Sequence, residues 1–360
     1  MSGILDPASV RRIGVFRALM LGDLLCAVPA LRALRAGFPR AAITLIGLPW
    51  ARALVERLDC VDDFIEFPGF PGLPEIACDV AALPPFLTRV QSRRFDLAIQ
   101  LHGSGSIVNP LVATFGARHT AGFFNGQAWV PPVDAALYRA WPEKGHEIER
   151  LLKLTDHLGL PRQGTDLEFP VREEDRRVLQ GLWPEMRAQS YICVHAGAQL
   201  PSRRWPPERF AAVADRLAEQ GFRIVLTGSP QEKELAAAVG AAMRHQAVDL
   251  SGRTSLWTLG ALIEGADGLV CNDTGVSHIA AALHCPSVVV SSGADVSRWA
   301  PLEKSRHQVL WQAMPCRPCA YYDCPFGHGC AEAVEATQVI EALQDFVGND
   351  YPETRDRLPA

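Results

Sequence analysis

Residues 266–292, ADGLVCNDTGVSHIAAALHCPSVVVSS, decide the fold class of this chain. The short apolar run 269–271 predicts a strand, 272–275 has turn chemistry, and 276–283 predicts a helix of small residues. A second apolar run, 286–290, predicts the next strand. This order predicts a βαβ unit of a parallel sheet. Its turn lies at the carboxyl end of the first strand, where open α/β sheets bind their ligands.

The turn of this unit is suited to a phosphate group. Asp273 and Thr274 can cap the helix, Gly275 allows close approach to the backbone, and the free N–H groups of a helix start attract anions. His278 lies one turn into the helix, where it could donate to a phosphate oxygen. An ordinary capped turn has the same sequence, and a histidine at such a position is more often packed than catalytic. These residues alone leave both interpretations open.

The composition indicates a globular protein of about two domains. The chain has 360 residues, 48% hydrophobic and 21% charged, and its net charge of −5 argues against a broad nucleic-acid surface. The N-terminus has no apolar signal region and no stretch is long enough to span a bilayer, so we predict a cytoplasmic protein. Six of the ten cysteines lie in apolar segments and are predicted to be buried thiols: Cys26, Cys60, Cys78, Cys193, Cys271 and Cys285.

Strands and helices alternate along the chain, which predicts parallel sheets covered on both faces. In the first half, strands are predicted at 12–16, 43–46, 64–67, 95–101 and 120–124, helices at 24–38, 50–58 and 145–158, and a loop at 129–141. In the second half, strands are predicted at 191–194, 223–227 and 248–250, and helices at 207–220, 232–243 and 255–264. A linker at 161–170 then separates domains 1–165 and 166–345, and a cleft between them is the expected site.

A carboxylate, Asp23, follows the first predicted strand. It could cap a helix, which is the commonest use of such a residue, or act as a general base in the cleft. No complete G-x-G-x-x-G follows this strand, and the loop Gly103-Ser104-Gly105 lacks the third glycine. Redox chemistry with a dinucleotide is therefore disfavoured.

Polar residues also follow two strands of the second half. His195 ends one strand, and Arg203 and Arg204 come shortly after it, where fixed cations would suit a diphosphate. Two solvated arginines are the alternative. Glu232, in the loop after the next strand, could accept ribose hydroxyls or simply favour the start of its helix.

The segment 315–331 contains four closely spaced cysteines, and His328 lies among them. Their spacing is Cys316-x2-Cys319-x4-Cys324-x5-Cys330, and four thiols can form a tetrahedral zinc or iron site. The spacing differs from that of the paired zinc ribbon, so a reduced structural knot or a disulfide formed after purification are alternatives. We expect the segment to be an excursion from the second domain, apart from its active centre.

Together these motifs resemble the ADP-heptose:lipopolysaccharide heptosyltransferases, glycosyltransferase family 9, over most of the chain. The likeness rests on Gly22-Asp23 with 28–34 (VPALRAL), 195–198 (HAGA) with 203–206 (RRWP), 250–256 (LSGRTSL) and, most specifically, 272–278 (NDTGVSH). Residues 145–150 (GHEIER) and the cysteine segment are also similar to the family.

The resemblance implies an α/β GT-B fold, in which two Rossmann-like domains face a cleft: an acceptor domain (1–165) and a nucleotide-sugar domain (166–345). It implies inverting transfer of a heptosyl group from ADP-heptose to a sugar hydroxyl of the lipopolysaccharide inner core. Asp23 would be the catalytic base. Inversion requires attack from the face opposite the ADP, which suits a carboxylate on the other domain.

The resemblance also implies a donor site in the second domain. Arg203 falls where relatives tend to have a lysine that contacts the diphosphate, and Thr274 and Gly275 would offer N–H groups to the phosphates. Asp273 would hold hydroxyls of the transferred sugar, and Glu232 those of the ribose. His195 and His278 complete the predicted donor-binding set. No metal or other cofactor is required in this scheme.

Three alternatives remain at this point. The chain could use another nucleotide sugar with a glycan acceptor, it could be a 2-epimerase of the same fold, or it could be a non-catalytic assembly protein with a metal at its cysteines. We see no second carboxylate for the proton transfer that an epimerase needs. A lipid-linked acceptor would allow peripheral contact with the inner face of the cytoplasmic membrane, although no basic amphipathic helix stands out.

Overall fold

A computed structural model describes residues 5–188 and 190–347 of the chain. It divides into two compact units, Met1–Pro170 and Val171–Ala360. The division lies at the end of the predicted linker, a few residues after the predicted boundary.

The first unit is a six-stranded parallel sheet with helices between its strands. The strands are β1 (Arg12–Phe16), β2 (Ala42–Gly47), β3 (Asp63–Glu66), β4 (Leu97–Gln100), β5 (His119–Phe124) and β6 (Tyr138–Ala140). The helices are α1 (Leu21–Leu25), α2 (Val28–Gly37), α3 (Arg52–Val55), α4 (Leu83–Ser92), α5 (Val108–Ala113) and α6 (Glu147–His157). The strand order is β3-β2-β1-β4-β5-β6.

The second unit repeats this plan. Its strands are β7 (Tyr191–His195), β8 (Arg223–Thr227), β9 (Val248–Asp249), β10 (Gly268–Asn272), β11 (Ser287–Val290) and β12 (His307–Leu310). Its helices are α7 (Glu173–Leu182), α8 (Pro207–Glu219), α9 (Lys233–Ala242), α10 (Leu256–Gly265), α11 (Gly275–Ala282), α12 (Val296–Trp299), α13 (Gly329–Glu332) and α14 (Ala336–Val347). The strand order β12-β11-β10-β7-β8-β9 is, read from β9, the order of the first sheet.

Both sheets therefore have the doubly wound order of a Rossmann fold. The strand order reverses between β1 and β4 in the first sheet, and between β7 and β10 in the second. The central strands are apolar and buried along their length, as in β10, where all five residues are buried. Helices cover both faces of a parallel sheet, so such strands lose contact with water on either side. The predicted α/β class with two Rossmann-like domains is confirmed.

The structure also corrects several predicted elements. Residues 129–141, predicted as a loop, contain a short 3₁₀ helix, Pro132–Leu137, and the edge strand β6. The predicted helix 24–38 is two helices, because α1 ends at Leu25 and α2 starts with a proline in its first turn. The helices α4 and α7 and the strand β12 were not predicted. Five of the six predicted buried thiols are buried, whereas Cys78 is half-buried.

Within the residues that the structure describes, no helix is both long and apolar enough to cross a membrane.

Candidate active site

Three of the predicted site residues lie at or after central strands, at the two points where the strand order reverses. In the first unit, Asp23 lies on α1, just after β1. In the second unit, His195 ends β7, and Asp273 follows β10, which pairs with β7. These carboxyl ends are where doubly wound sheets bind ligands.

A buried arginine, Arg17, holds the segment that carries Asp23. Its side chain is 1% exposed, and that of Asp23 is 23% exposed. Arg17 Nε donates to the backbone carbonyl of Asp23 at 2.8 Å, and Nη2 lies 3.9 Å from Asp23 Oδ1. Nη1 donates to the carbonyl of Leu101, at the end of β4. The guanidinium therefore connects the two central strands of the sheet to the carboxylate.

Arg17 is paired with a second buried carboxylate. Glu147, in the first turn of α6, is 1% exposed and accepts from Arg17 Nη2 at 3.3 Å. Arg150 Nη1 lies 3.5 Å from the other oxygen of Glu147, and its guanidinium stacks 4.3 Å from the ring of Trp141. Glu147 and Arg150 belong to the 145–150 motif that resembles the family, but the sequence predicted no role for them. It also predicted no role for Arg17.

A histidine lies just after the neighbouring strand β4. His102 Nδ1 accepts from the Ala18 amide at 3.2 Å, so the neutral ring carries its proton on Nε2, which donates to Glu75 at 3.2 Å. Burial opposes ionisation of Glu75, yet the hydrogen bond from His102 and a backbone hydrogen bond keep its pKa below the ordinary value. Neither residue was predicted, because His102 was considered only as part of a glycine loop.

In the second unit, Asn272 ties two strand-end loops together. It is fully buried, its Oδ1 accepts from the Trp205 amide at 2.9 Å, and its Nδ2 donates to the Ala196 carbonyl at 2.7 Å. The loop after β7 is thereby fixed beside Asp273. An asparagine is needed here because one amide both donates and accepts.

The carboxylate of Asp273 points to Ser291 and does not cap the helix. Ser291 Oγ donates to Asp273 Oδ2 at 3.1 Å. Thr274 is the N-cap residue of α11, but no side chain caps that helix among the residues described, so the predicted capping role of Asp273 and Thr274 is wrong. The start of α11, beginning with Gly275, keeps its positive end for another group.

Two arginines act on Asp273. Burial raises the pKa of Asp273, while the charges of Arg203 and Arg317 work in the opposite direction. Arg203 Nη2 donates to the Cys319 carbonyl at 3.3 Å, whereas its Nε is buried without a partner in the part of the chain described. This guanidinium has a hydrogen-bond donor to spare beside a helix start. A phosphate oxygen bound there would accept from it.

The cysteine-rich segment packs on these loops. Cys319 N donates to the Gly293 carbonyl at 2.7 Å, and His328 Nε2 donates to the Ser202 carbonyl at 2.8 Å. The segment, predicted to be an excursion apart from the active centre, therefore contacts the strand-end loops of the second unit. All four of its thiols are free, and within residues 5–188 and 190–347 no group of three or more His, Cys, Asp or Glu side chains is arranged to hold a metal: Cys316, Cys319, Cys324 and Cys330 do not form one.

His195 and Glu232 form a second polar pair. His195 Nδ1 donates to Thr227 Oγ1 at 3.0 Å, and Nε2 lies 3.9 Å from Glu232 Oε2. Burial lowers the pKa of His195. Burial opposes ionisation of Glu232, but His195, the Ser229 hydrogen bonds and Arg204 lower its pKa overall.

The Glu232 side chain also covers a glycine and closes its own helix start. Its Oε2 accepts from the Ser229 amide at 2.7 Å. A Cβ on Gly197 would lie 2.1 Å from Glu232 Oε1. The glycine of the HAGA motif thus leaves room for the carboxylate.

His278 is buried in α11, with 4% of its surface exposed. Its ring meets that of Trp299 edge-on, with centroids 6.2 Å apart. The structure therefore gives this histidine a packing contact, and its predicted role toward the donor stays a prediction.

Comparisons with known proteins agree on one family. The family model of glycosyltransferase family 9 (heptosyltransferase) matches residues 86–329. The chain is 35% identical to lipooligosaccharide heptosyltransferase 2 of Haemophilus influenzae over 286 residues, 75% of this chain and 80% of that protein. It is 27% identical to lipopolysaccharide heptosyltransferase 2 of Escherichia coli over 295 residues, 75% of this chain and 79% of that protein.

The fold is similar to that of a solved structure. The ADP-heptose lipopolysaccharide heptosyltransferase II of Escherichia coli superposes with a TM-score of 0.73 over 94% of this chain and 98% of that chain, at 22% identity. The family match covers more than half of the chain and extends into the cysteine-rich segment, up to residue 329. The chain therefore belongs to glycosyltransferase family 9, the heptosyltransferases.

Proposed function

We propose that this glycosyltransferase moves a heptosyl group from ADP-heptose to a sugar hydroxyl of the lipopolysaccharide inner core, with inversion at the transferred carbon. The names of its relatives support the substrates: two are heptosyltransferases of lipopolysaccharide or lipooligosaccharide, and the solved Escherichia coli structure is an ADP-heptose enzyme. One observation carries the proposal: a buried carboxylate, two arginines and an uncapped helix start lie together at the switch point of the second sheet.

On the donor side, the diphosphate would take the place of the missing cap. The N–H groups at Thr274 and Gly275 would donate to its oxygens, as would Arg203 Nε, which has no hydrogen-bond partner among the described residues. As the glycosidic bond breaks, negative charge builds on the departing phosphate, and these fixed donors stabilise it. Asp273 would accept hydroxyls of the transferred sugar.

The polar pair at the end of β7 would bind the nucleoside. The ionised Glu232 would accept hydrogen bonds from the ribose hydroxyls, as carboxylates do in other nucleotide-binding sheets. His195 would lie beside this carboxylate, with Nε2 3.9 Å from Glu232 Oε2, and is held in place by its hydrogen bond to Thr227. His278 would assist from within α11.

On the acceptor side, Asp23 would be the general base. In an inverting reaction the acceptor oxygen attacks from the face opposite the ADP, and a carboxylate takes its proton in the transition state. Arg17 holds the backbone of Asp23 by a 2.8 Å hydrogen bond, and its Nη2 lies 3.9 Å from the carboxylate, which would help to position the base.

The scheme uses no metal or other cofactor. The acceptor is lipid-linked, so the enzyme would work from the cytoplasm at the inner face of the membrane.

A donor panel tests the proposal. Purified protein is incubated with a lipopolysaccharide acceptor that lacks the heptose and with ADP-heptose, ADP-glucose or a UDP-sugar, and the product is followed by mass spectrometry. We expect transfer from ADP-heptose. We also expect the NMR coupling at the anomeric position of the product to show a configuration that is inverted relative to the donor. Preferred transfer from a UDP-sugar would refute the donor assignment, and a product with retained configuration would refute the role of Asp23.

A further inference from the structure

A chain of two hydrogen bonds leads from the cysteine-rich segment to Asp273. Arg317 Nη2 donates to Ser291 Oγ at 3.0 Å, and Ser291 Oγ donates to Asp273 Oδ2 at 3.1 Å. A hydroxyl has one hydrogen, so the guanidinium occupies a lone pair of the serine and leaves that hydrogen for the carboxylate. Ser291 is fully buried, which keeps water from competing for this hydroxyl.

Arg317 is itself fixed by the backbone. Its Nη1 donates to the Ser291 carbonyl at 2.7 Å, its Nη2 donates to the Ala294 carbonyl at 2.7 Å, and its guanidinium lies 5.2 Å from the ring of Trp311. Several acceptors around a planar fork define its orientation, which a lysine ammonium could not reproduce. The charge beside Asp273 is thus held in place and does not belong to a freely moving side chain.

One oxygen of Asp273 is left for a ligand. Oδ2 is the oxygen that Ser291 holds, and in the described part of the chain Oδ1 has no hydrogen-bond partner. Fixing one carboxylate oxygen sets the direction of the other. The second oxygen can then accept hydrogen bonds from hydroxyl groups, and the side chain loses little rotational entropy on binding.

We propose that Arg317 and Ser291 are positioning residues for the nucleotide sugar, because they orient Asp273 toward the hydroxyls of the transferred sugar. This inference rests on the proposed function, in which Asp273 contacts that sugar. If Asp273 is misplaced, the protein loses contacts with the transferred sugar. The contacts that other residues make with ADP remain. The cysteine-rich segment would then help to recognise the part of the donor that is transferred.

Ser291→Ala tests the inference. It removes the hydroxyl and keeps both arginines, so we expect kcat/KM for ADP-heptose to fall roughly 10- to 100-fold, the range for a hydrogen bond to a charged group. The Kd for ADP, measured by calorimetry, should change less than about twofold. A merely structural serine would affect both ligands alike. Ser297→Ala is the matched control, because its hydroxyl bonds to Asp295 in an exposed turn nearby.

A second variant tests the link to the arginine. Arg317→Lys keeps the charge but not the fork, and adding Ser291→Ala to it should cost less than Ser291→Ala costs in the wild type, since both residues act through one chain of hydrogen bonds. Full additivity of the two effects would refute the chain.

The outcomes separate the inference from the proposed function. If the wild type transfers from ADP-heptose and Ser291→Ala does so equally well, the inference is wrong and the proposed function stands. Equal losses of affinity for ADP and ADP-heptose would also overturn it. If the wild type does not transfer from ADP-heptose, the proposed function fails and the inference fails with it.

Discussion

Arg17→Met should separate the structural from the functional role of the buried arginine. Arg17 and Glu147 are each 1% exposed and 3.3 Å apart, so the substitution takes one cation away from a buried carboxylate, while Arg150 stays at 3.5 Å. Removing one partner of a buried ion pair costs about 3–5 kcal/mol. Since Arg150 stays, we expect the free energy of unfolding to fall by about 3 kcal/mol, at the low end of that range.

The double variant Arg17→Met/Glu147→Gln then also removes the carboxylate that lies 3.5 Å from the buried Arg150. Since that guanidinium loses a charged partner, we expect the double variant to be no more stable than Arg17→Met. Turnover should stay about 100-fold below that of the wild type, because Asp23 has lost the hydrogen bond that fixes its backbone and a misplaced base reacts slowly.

Urea unfolding gives the stability, and steady-state transfer from ADP-heptose gives the activity. Arg52→Met is the matched control: its pair with Glu66 is at the surface, where such pairs contribute about 0–1 kcal/mol, so both readouts should stay near the wild type. A double variant with wild-type turnover would show that Arg17 only stabilises the fold. Arg17→Met with unchanged stability would contradict the buried pair itself.

Three further predictions use single substitutions. Gly197→Ala places a methyl group 2.1 Å from Glu232 Oε1, so the carboxylate must move; ADP affinity should fall about tenfold by calorimetry, and an unchanged Kd would remove Glu232 from the ribose site. Burial lowers the pKa of His307 from 6.5 to about 4, so the unfolded chain binds a proton in this window that the folded chain does not. Stability should therefore fall as the pH drops from about 6.5 to 4, by about 3 kcal/mol in full, and His307→Asn should flatten the urea-derived profile; a variant with the wild-type slope would contradict this. Arg203→Ala should weaken ADP binding and turnover together, since the proposed contact exists before reaction, and wild-type ADP affinity would argue against that contact.

The central strands were predictable because parallel strands buried on both faces have continuous apolar sequences. The strands at 12–16 and 223–227 have the predicted bounds, and the unit around β10 has the predicted order. β6 was missed because a three-residue edge strand leaves no periodic signal. The helix α4 was missed because two prolines, Pro84 and Pro85, follow its first residue and are not typical of a helix interior.

Candidate residues near strand ends could be predicted from the sequence. Asp23 lies on the first helix after β1, His195 is the last residue of β7, and Asp273 comes directly after β10, so their placement needs only the order of the chain. Arg17 and Arg317 could not be found in this way. Arg17 meets Glu147 at a separation of 130 residues, and Arg317 meets Ser291 at 26, so only the folded chain shows that these guanidinium groups have fixed partners.

The Asp23→Asn variant most directly tests the central proposal, in which Asp23 is the general base and Asp273 binds the transferred sugar. The side chain keeps its shape and loses its basicity, so kcat for heptosyl transfer should fall by about 10²- to 10⁴-fold while the Kd for ADP stays at the wild-type value. Turnover near that of the wild type would contradict the account, because Asp23 would then not be the group that takes the proton from the acceptor.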